Sequence, residues 1–304
     1  MPSLNVLAAR SAIAVLRHVL PRIGPGSRSF LARMSTQDRF DPRARTLADF
    51  CTSAVYAWKN RQYDVTVNGE EGLLRRLGAL HPGVVVDVGA NVGEWTCAAC
   101  RHLPEAVVHA FEIAPSTAEV LRRTTSGNSR VIVNDFGLGD QNGSITIYAS
   151  PESSTATSTL RDAIEVSAAE HGIHTIEEID AKIVTGDSYM KDQDLQRIDL
   201  LKIDVEGAEF AVLHGFSDAF ARGTIDLVQF EYGKINLCTR HFLADFYKFF
   251  EDRGYLVGKL FPEGVAFKPY DIDDEDFIGP NFIACRKSRS DIVEALRCPA
   301  LVLR

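Results

Sequence analysis

Two stretches of this chain end an apolar run in an acid, turn through glycine and open on another acid. Residues 84–95 read Val-Val-Val-Asp-Val-Gly-Ala-Asn-Val-Gly-Glu-Trp, and residues 198–209 read Ile-Asp-Leu-Leu-Lys-Ile-Asp-Val-Glu-Gly-Ala-Glu. A short β-branched run suits a strand buried on both faces, and glycine lets the backbone beyond it turn tightly and approach a ligand. A helix starting after such a turn favours anions and carboxylates. In the first stretch Asp87, Gly89, Ala90, Asn91 and Gly93 are therefore candidates to cradle a nucleotide-like cofactor. The dinucleotide fingerprint would need glycines at 91 and 94, where Asn91 and Glu94 stand.

In the second stretch Lys202 and Asp204 share one strand face by the period of two. Burying a lone charge is costly, so the pair reads as part of a polar network at the strand's carboxyl end. The competing reading is a structural ion pair ahead of a helix that carries Glu209 in its first turn. Glu206 follows in the turn, and Gln229-Phe230-Glu231-Tyr232 brings another acid alongside if the two strands are neighbours. A positioned carboxylate can take the proton of a reacting hydroxyl. Asp204 is the leading base candidate, with Glu206, Lys202 and Glu231 orienting or tuning the acceptor. Asp204, Glu206 and Glu231 could also clasp a hard cation, but their spacing does not require one and no metal is assigned. His171 and His174 could supply a base from a lid, although exposed loop histidines are commoner.

The elements that must position these groups alternate. Strands are expected at 84–88, 107–112, 131–135, 198–205, 225–232, 255–261 and 281–286, and helices at 47–58, 70–80, 94–102, 116–123, 208–216 and 239–253. A hairpin is expected from 138–139 to 144–148 around Asp140-Gln141-Asn142-Gly143. The Ser/Thr-rich residues 150–159 read as a loop, and 183–187 as a short or edge strand. Such alternation implies a parallel sheet covered on both faces, with ligands beyond the strands' carboxyl ends. There Glu112 could accept both ribose hydroxyls of a nucleoside. Asn134 or Asp135 could bind an adenine amino group, although both types also serve turns.

The Asp87–Gly93 turn, Phe111-Glu112, Leu138-Gly139-Asp140, residues 154–160, residues 198–213, Glu231 and Pro280-Asn281-Phe282-Ile283-Ala284 together resemble the FkbM-type methyltransferase family. The likeness covers roughly residues 70–286. Thr185-Gly186-Asp187 stands where the family commonly reads Thr-Leu-Asp. The resemblance implies a class I methyltransferase (Rossmann-like) α/β sheet, mostly parallel with an antiparallel last strand, helices on both faces and helices before it. It also implies S-adenosyl-L-methionine as donor and O-methylation of a hydroxyl on a sugar or small natural product.

The bulk properties limit the partners. A net charge of −8 over 304 residues argues against nucleic acid, which needs a basic face. Residues 1–37 hold five arginines and no acid, so the remainder carries −13. That basic, amphipathic leader suits a peripheral membrane contact, a transit peptide or a helix packing on the domain. The six cysteines show no disulfide or zinc framework, and Cys97 and Cys100 sit one helical turn apart as small apolar groups. Reduced thiols suit a cytoplasmic location. The expected organisation is a basic segment at 1–45, leading helices at 46–80, a methyltransferase domain at 81–290 and a tail at 291–304. Two alternatives remain: a non-catalytic accessory protein that keeps the fold, and a nicotinamide-dependent oxidoreductase, which the missing glycines disfavour.

Overall fold

The computed structural model describes residues 42–298; the basic leader and the last six residues lie outside the described residues. Contacts divide the chain after Trp58. In the first unit the described residues form one helix, α1 (Pro42–Trp58). The second unit holds every other element. Its strands, in chain order, are β1 (Val84–Val88), β2 (Val107–Phe111), β3 (Val131–Asn134), β4 (Gly137–Gly139), β5 (Gly143–Ser150), β6 (Ser153–Ser158), β7 (Glu177–Thr185), β8 (Ile198–Ile203), β9 (Ile225–Glu231), β10 (Tyr255–Phe261), β11 (Gly264–Phe267) and β12 (Asn281–Arg286). Its helices are α2 (Glu70–Gly78), α3 (Glu94–His102), α4 (Pro115–Thr125), α5 (Arg161–His171), α6 (Gly186–Asp192), α7 (Glu209–Gly215), α8 (Ser217–Arg222), α9 (Asn236–Thr239), α10 (Leu243–Glu251) and α11 (Ser290–Leu296).

Eight strands form the main sheet in the order β11-β10-β12-β9-β8-β1-β2-β3. Five of them, β3, β2, β1, β8 and β9, run parallel. The last strand, β12, runs antiparallel to β9 as expected. The strands alternate apolar side chains to both faces. Leu200, Leu227 and Ile283 pack against Leu73 and Leu74 of α2, Trp95 of α3 and Leu296 of α11. Leu201, Ile203, Val228 and Phe230 meet Leu213 of α7, Phe220 of α8 and Phe246 and Phe250 of α10. Phe230 stacks on Phe246 with ring centres 4.8 Å apart. Each such side chain contributes about 1.5–3 kcal/mol on burial, so helices on both faces are a condition of the sheet's stability. Because β1 lies between β2 and β8, the direction of connection reverses there, and a crevice opens at the carboxyl ends.

A second, four-stranded sheet, β4-β7-β5-β6, corrects several expectations. β4 and β5 do not form a hairpin: β7 lies between them, parallel to β4 and antiparallel to β5. The apolar alternation of Ala181 and Ile183 in β7 outcompetes the local turn by burying that face. The Ser/Thr-rich segment is largely the edge strand β6, for which β-branched threonine is well suited and which needs no apolar face. The strand expected at 183–187 runs from 177 to 185 instead and sits inside its sheet. It ends where Thr185 caps α6 by accepting from the Ser188 amide. The helix expected over 239–253 is two pieces, broken where Arg240 takes a positive φ of 60°. Helix α5 and strand β11 carry no clear sequence pattern.

No described helix is long and apolar enough to cross a membrane. No disulfide joins any of the six cysteines.

Helix α7 packs closely on β4 of the second sheet at Gly215, where an added Cβ would stand 2.0 Å from the Gly139 carbonyl oxygen. Backbone cannot retreat cheaply, so Gly215→Ala should destabilise the fold by about 2–4 kcal/mol. Gly233→Ala, whose Cβ would meet nothing within 4 Å, should change stability by less than about 1 kcal/mol. Urea denaturation of both variants checks the contrast.

Candidate active site

The β1–α3 turn is built by close backbone approach. Gly89 has a φ of 81°, and a Cβ there would stand 1.8 Å from the Asp204 carbonyl oxygen, so the tips of β1 and β8 touch. Asn91 also has a positive φ, 49°, which asparagine tolerates better than most residues. Gly93 begins α3, and a Cβ there would press on Leu121 of α4 at 2.8 Å. The turn is tied to the end of β2. Gly89 and Ala90 amides donate to the Phe111 carbonyl, and the Asn91 amide donates to Glu112 Oε2 at 2.9 Å. Glu112 Oε1 accepts from the Ala114 amide at 2.9 Å. Both carboxylate oxygens are thus fixed by backbone donors. Burial nevertheless pushes the carboxyl above its ordinary range.

The end of β8 gathers charge. Asp87, Lys202 and Gln229 lie in one row across β1, β8 and β9. Lys202 Nζ is 2.9 Å from Asp204 Oδ2 and 3.6 Å from Asp87 Oδ1. Asp87 is fully buried and accepts from Thr96 Oγ1 at 2.6 Å. Burial disfavours the Lys202 ammonium, but Asp204, Asp87 and Glu70 outweigh it and hold the lysine charged. Burial would likewise raise Asp204; the Lys202 charge and hydrogen bonds from Glu231 and Lys202 prevail and keep it below the usual carboxylate range.

The neighbouring acids behave oppositely. Glu206 holds a positive φ of 52° at the tip of the turn. Burial, then the charge of Asp204, pushes it up to about 8. Glu209, buried with its carboxylate on the Gly207 amide at 3.0 Å, is pushed by burial up to about 7. Burial and the facing Asp204 and Glu206 raise Glu231 well above its normal value. Oxygens of Asp204, Glu206 and Glu231 lie within 4.8 Å of one another. Of the three, Asp204 pairs with Lys202.

One cavity joins these regions. Gly89, Asn91 and Glu112 line it together with Asp204, Val205 and Glu206, and Gly137, Leu138, Gly139 and Asp140 form another side. The second sheet supplies a wall of Ile145, Ile147, Ser154, Thr157, Ser158 and Thr159. Ser158 Oγ donates to the Glu206 carbonyl at 2.9 Å and so ties that wall to the acidic turn.

Not every residue singled out by sequence reaches the cavity. Asp87 and Lys202 lie beneath it, and Ala90 and Gly93 shape the turn from behind. Asn134 spends its side-chain amide on the Ala110 and Ile132 carbonyls. Asp135 is exposed and paired with Arg122 at 2.6 Å. Glu231 belongs to the acid cluster without lining the cavity. His174 is exposed, and its amide donates to Glu152; the side chain of His171 lies outside the described residues.

Sequence reasoning missed Glu70. It reads as an ordinary helix start, yet its buried carboxylate accepts from Asn68 at 2.6 Å and from Gln229, beneath Lys202. The isoleucines of β5 were missed as well, since a strand periodicity alone does not say what its inner face meets.

A family description for the methyltransferase FkbM domain matches residues 87–257, more than half of the chain. The chain belongs to the FkbM methyltransferase family. Among its relatives, methyltransferase sdnD of Sordaria araneosa is 33% identical over 156 residues, covering 44% of this chain and 60% of that protein. Hexuronic acid methyltransferase AglP of Haloferax volcanii is 28% identical over 173 residues, 55% of this chain and 64% of that one. The 31-O-demethyl-FK506 methyltransferase FkbM of Streptomyces tacrolimicus is 32% identical over 169 residues, 48% of this chain and 64% of that one. The chain thus spans less than two thirds of the length of these relatives.

Glu206 binds its proton more tightly in the folded chain than in the unfolded one. Its contribution to stability is full below the ordinary glutamate range and is lost as pH rises toward 8. Glu206→Gln lacks this loss. Relative to the parent, its stability should climb from about pH 5 to about pH 8, by at most about 1.4 kcal/mol per pH unit. Chemical denaturation at both pH values measures the slope, and a pH-independent difference would remove Glu206 from the charge cluster.

Proposed function

We propose that this chain transfers a methyl group from S-adenosylmethionine to a hydroxyl of a sugar or small natural product. The observation that carries the reading is that the Gly89–Asn91 turn and Glu112 open into the same cavity as Asp204 and Glu206. The residues present fit the cofactor. Asn91 Oδ1 is buried with no partner and can accept from a bound donor. The Gly89 backbone leaves no room for a side chain, and Glu112, with both oxygens oriented, retains lone pairs for ribose hydroxyls. Ile113 and Leu138 offer apolar surface suited to a base.

S-Adenosylmethionine, when bound, supplies a sulfonium methyl that is already electrophilic. The protein's share is then to align the hydroxyl, exclude water and receive its proton. Orientation can contribute on the order of 7–11 kcal/mol, and a general base about 10²–10⁴-fold. Asp204, held ionised by Lys202, is suited to accept the hydroxyl's hydrogen bond and fix its direction. Glu206, pushed up to about 8, holds its proton near neutral pH. This balance supports Asp204 as the base, with Glu206, Lys202 and Glu231 orienting the acceptor or tuning its charge. Two relatives whose names specify hexuronic acid or an O-demethyl substrate support a small hydroxylated acceptor.

Calorimetric titration with S-adenosylhomocysteine tests the cofactor site. Glu112→Ala should lose at least about tenfold in affinity, the equivalent of about 1.4 kcal/mol, while its circular dichroism stays that of the parent. Unchanged affinity would take Glu112 out of the site. Asp204→Asn should keep affinity within about threefold yet slow transfer by about 10²-fold or more once an acceptor is in hand.

A further inference from the structure

Among the described residues, the ionisable groups that line the cavity are all acids. Its ionisable lining residues are Glu112, Asp140, Asp204 and Glu206, and no lysine, arginine or histidine lines it among the described residues. The nearest buried cation, Lys202, lies beneath the cavity and is spent on Asp204 and Asp87. Lys182, on β7, sits over the Phe136 ring at 4.7 Å. The acceptor-side wall of the second sheet adds only isoleucines and hydroxyls.

We infer that the part of the acceptor entering this cavity is uncharged or amine-bearing, and that carboxylated and phosphorylated acceptors are excluded. The inference rests on the methyltransferase reading and specifies its substrate class. An anion brought beside Asp204 would meet like charge, with no cation in the lining among the described residues to receive it and Lys202 already spent on Asp204 and Asp87. At the effective dielectric of a partly buried site, a like-charge contact costs on the order of a hundredfold in affinity or more. Hydroxyls face no such penalty, because carboxylates accept their hydrogen bonds and the serine and threonine rim can donate or accept. An ammonium gains from the same field. Glu206 and Glu231, which hold protons in the free protein, can release them to a cation and ionise against it. This selectivity would separate the chain from its relative named for a hexuronic acid.

Two measurements test the inference. Sinefungin carries an amine where S-adenosylmethionine carries its reactive methyl, and S-adenosylhomocysteine carries neither, so the pair reports the field at the transfer point. On the full chain at low salt, sinefungin should bind at least about tenfold more tightly. Glu206→Gln should shrink that ratio. Equal affinities for the two probes would overturn the inference. Folded protein that binds neither probe would instead defeat the methyltransferase reading on which the inference rests.

The second measurement is release of S-adenosylhomocysteine from S-adenosylmethionine with methyl glucoside, methyl glucosaminide, methyl glucuronoside and glucose 6-phosphate, each offered separately. Transfer confined to the first two supports the inference, and transfer to either anion refutes it. If none of the four is methylated, the ratio of probe affinities alone upholds or overturns it.

Discussion

A single buried ammonium organises the functional end of this protein. Lys202 lies in the middle of the sheet, opposite Asp87 on one side and Gln229 on the other, with Asp204 two residues further along its own strand. Removing a charge from water costs several kcal/mol unless it is paired, and here three acids, Asp204, Asp87 and Glu70, compensate one cation. Burial raises every carboxyl of the cluster, and contact with Lys202 decides which one stays ionised. Asp204, in direct contact with Lys202, keeps its charge, and those further out, Glu206 and Glu231, hold protons.

The rest of the architecture keeps that cluster in place and gives it a ceiling. Leucines and phenylalanines on both sheet faces make the parallel strands rigid, and the Gly89 contact with Asp204 locks the tips of β1 and β8 together. The second sheet then closes over the crevice, joined to the acidic turn through the Ser158 hydrogen bond to Glu206. The β1 turn and the wall of isoleucines and hydroxyls therefore share one cavity, each supplied by a different sheet.

The main sheet was legible because local and global signals agree there. Residues 84–86 and 282–285 are continuous apolar runs, and burial on both faces demands that pattern. The second sheet was not legible in the same way. Asp140-Gln141-Asn142-Gly143 has the composition of a hairpin turn, but the partner that β4 takes arrives more than forty residues later. The threonines of β6 look like loop residues because an edge strand needs no buried face.

By itself the sequence determined the alternating α/β order, the two glycine turns and the acids that follow them, since spacing and residue type settle which groups can reach a strand's carboxyl end. It also carried the family likeness, because that rests on motifs read along the chain. Only the tertiary structure decided that Asp87 lies beneath the cavity, that Asp135 turns to solvent against Arg122, and that Glu70 joins the polar layer under Lys202. Only it decided the state of each carboxyl. Burial and the distance to one ammonium fix those quantities, and both depend on which strands become neighbours, a property that no local pattern records.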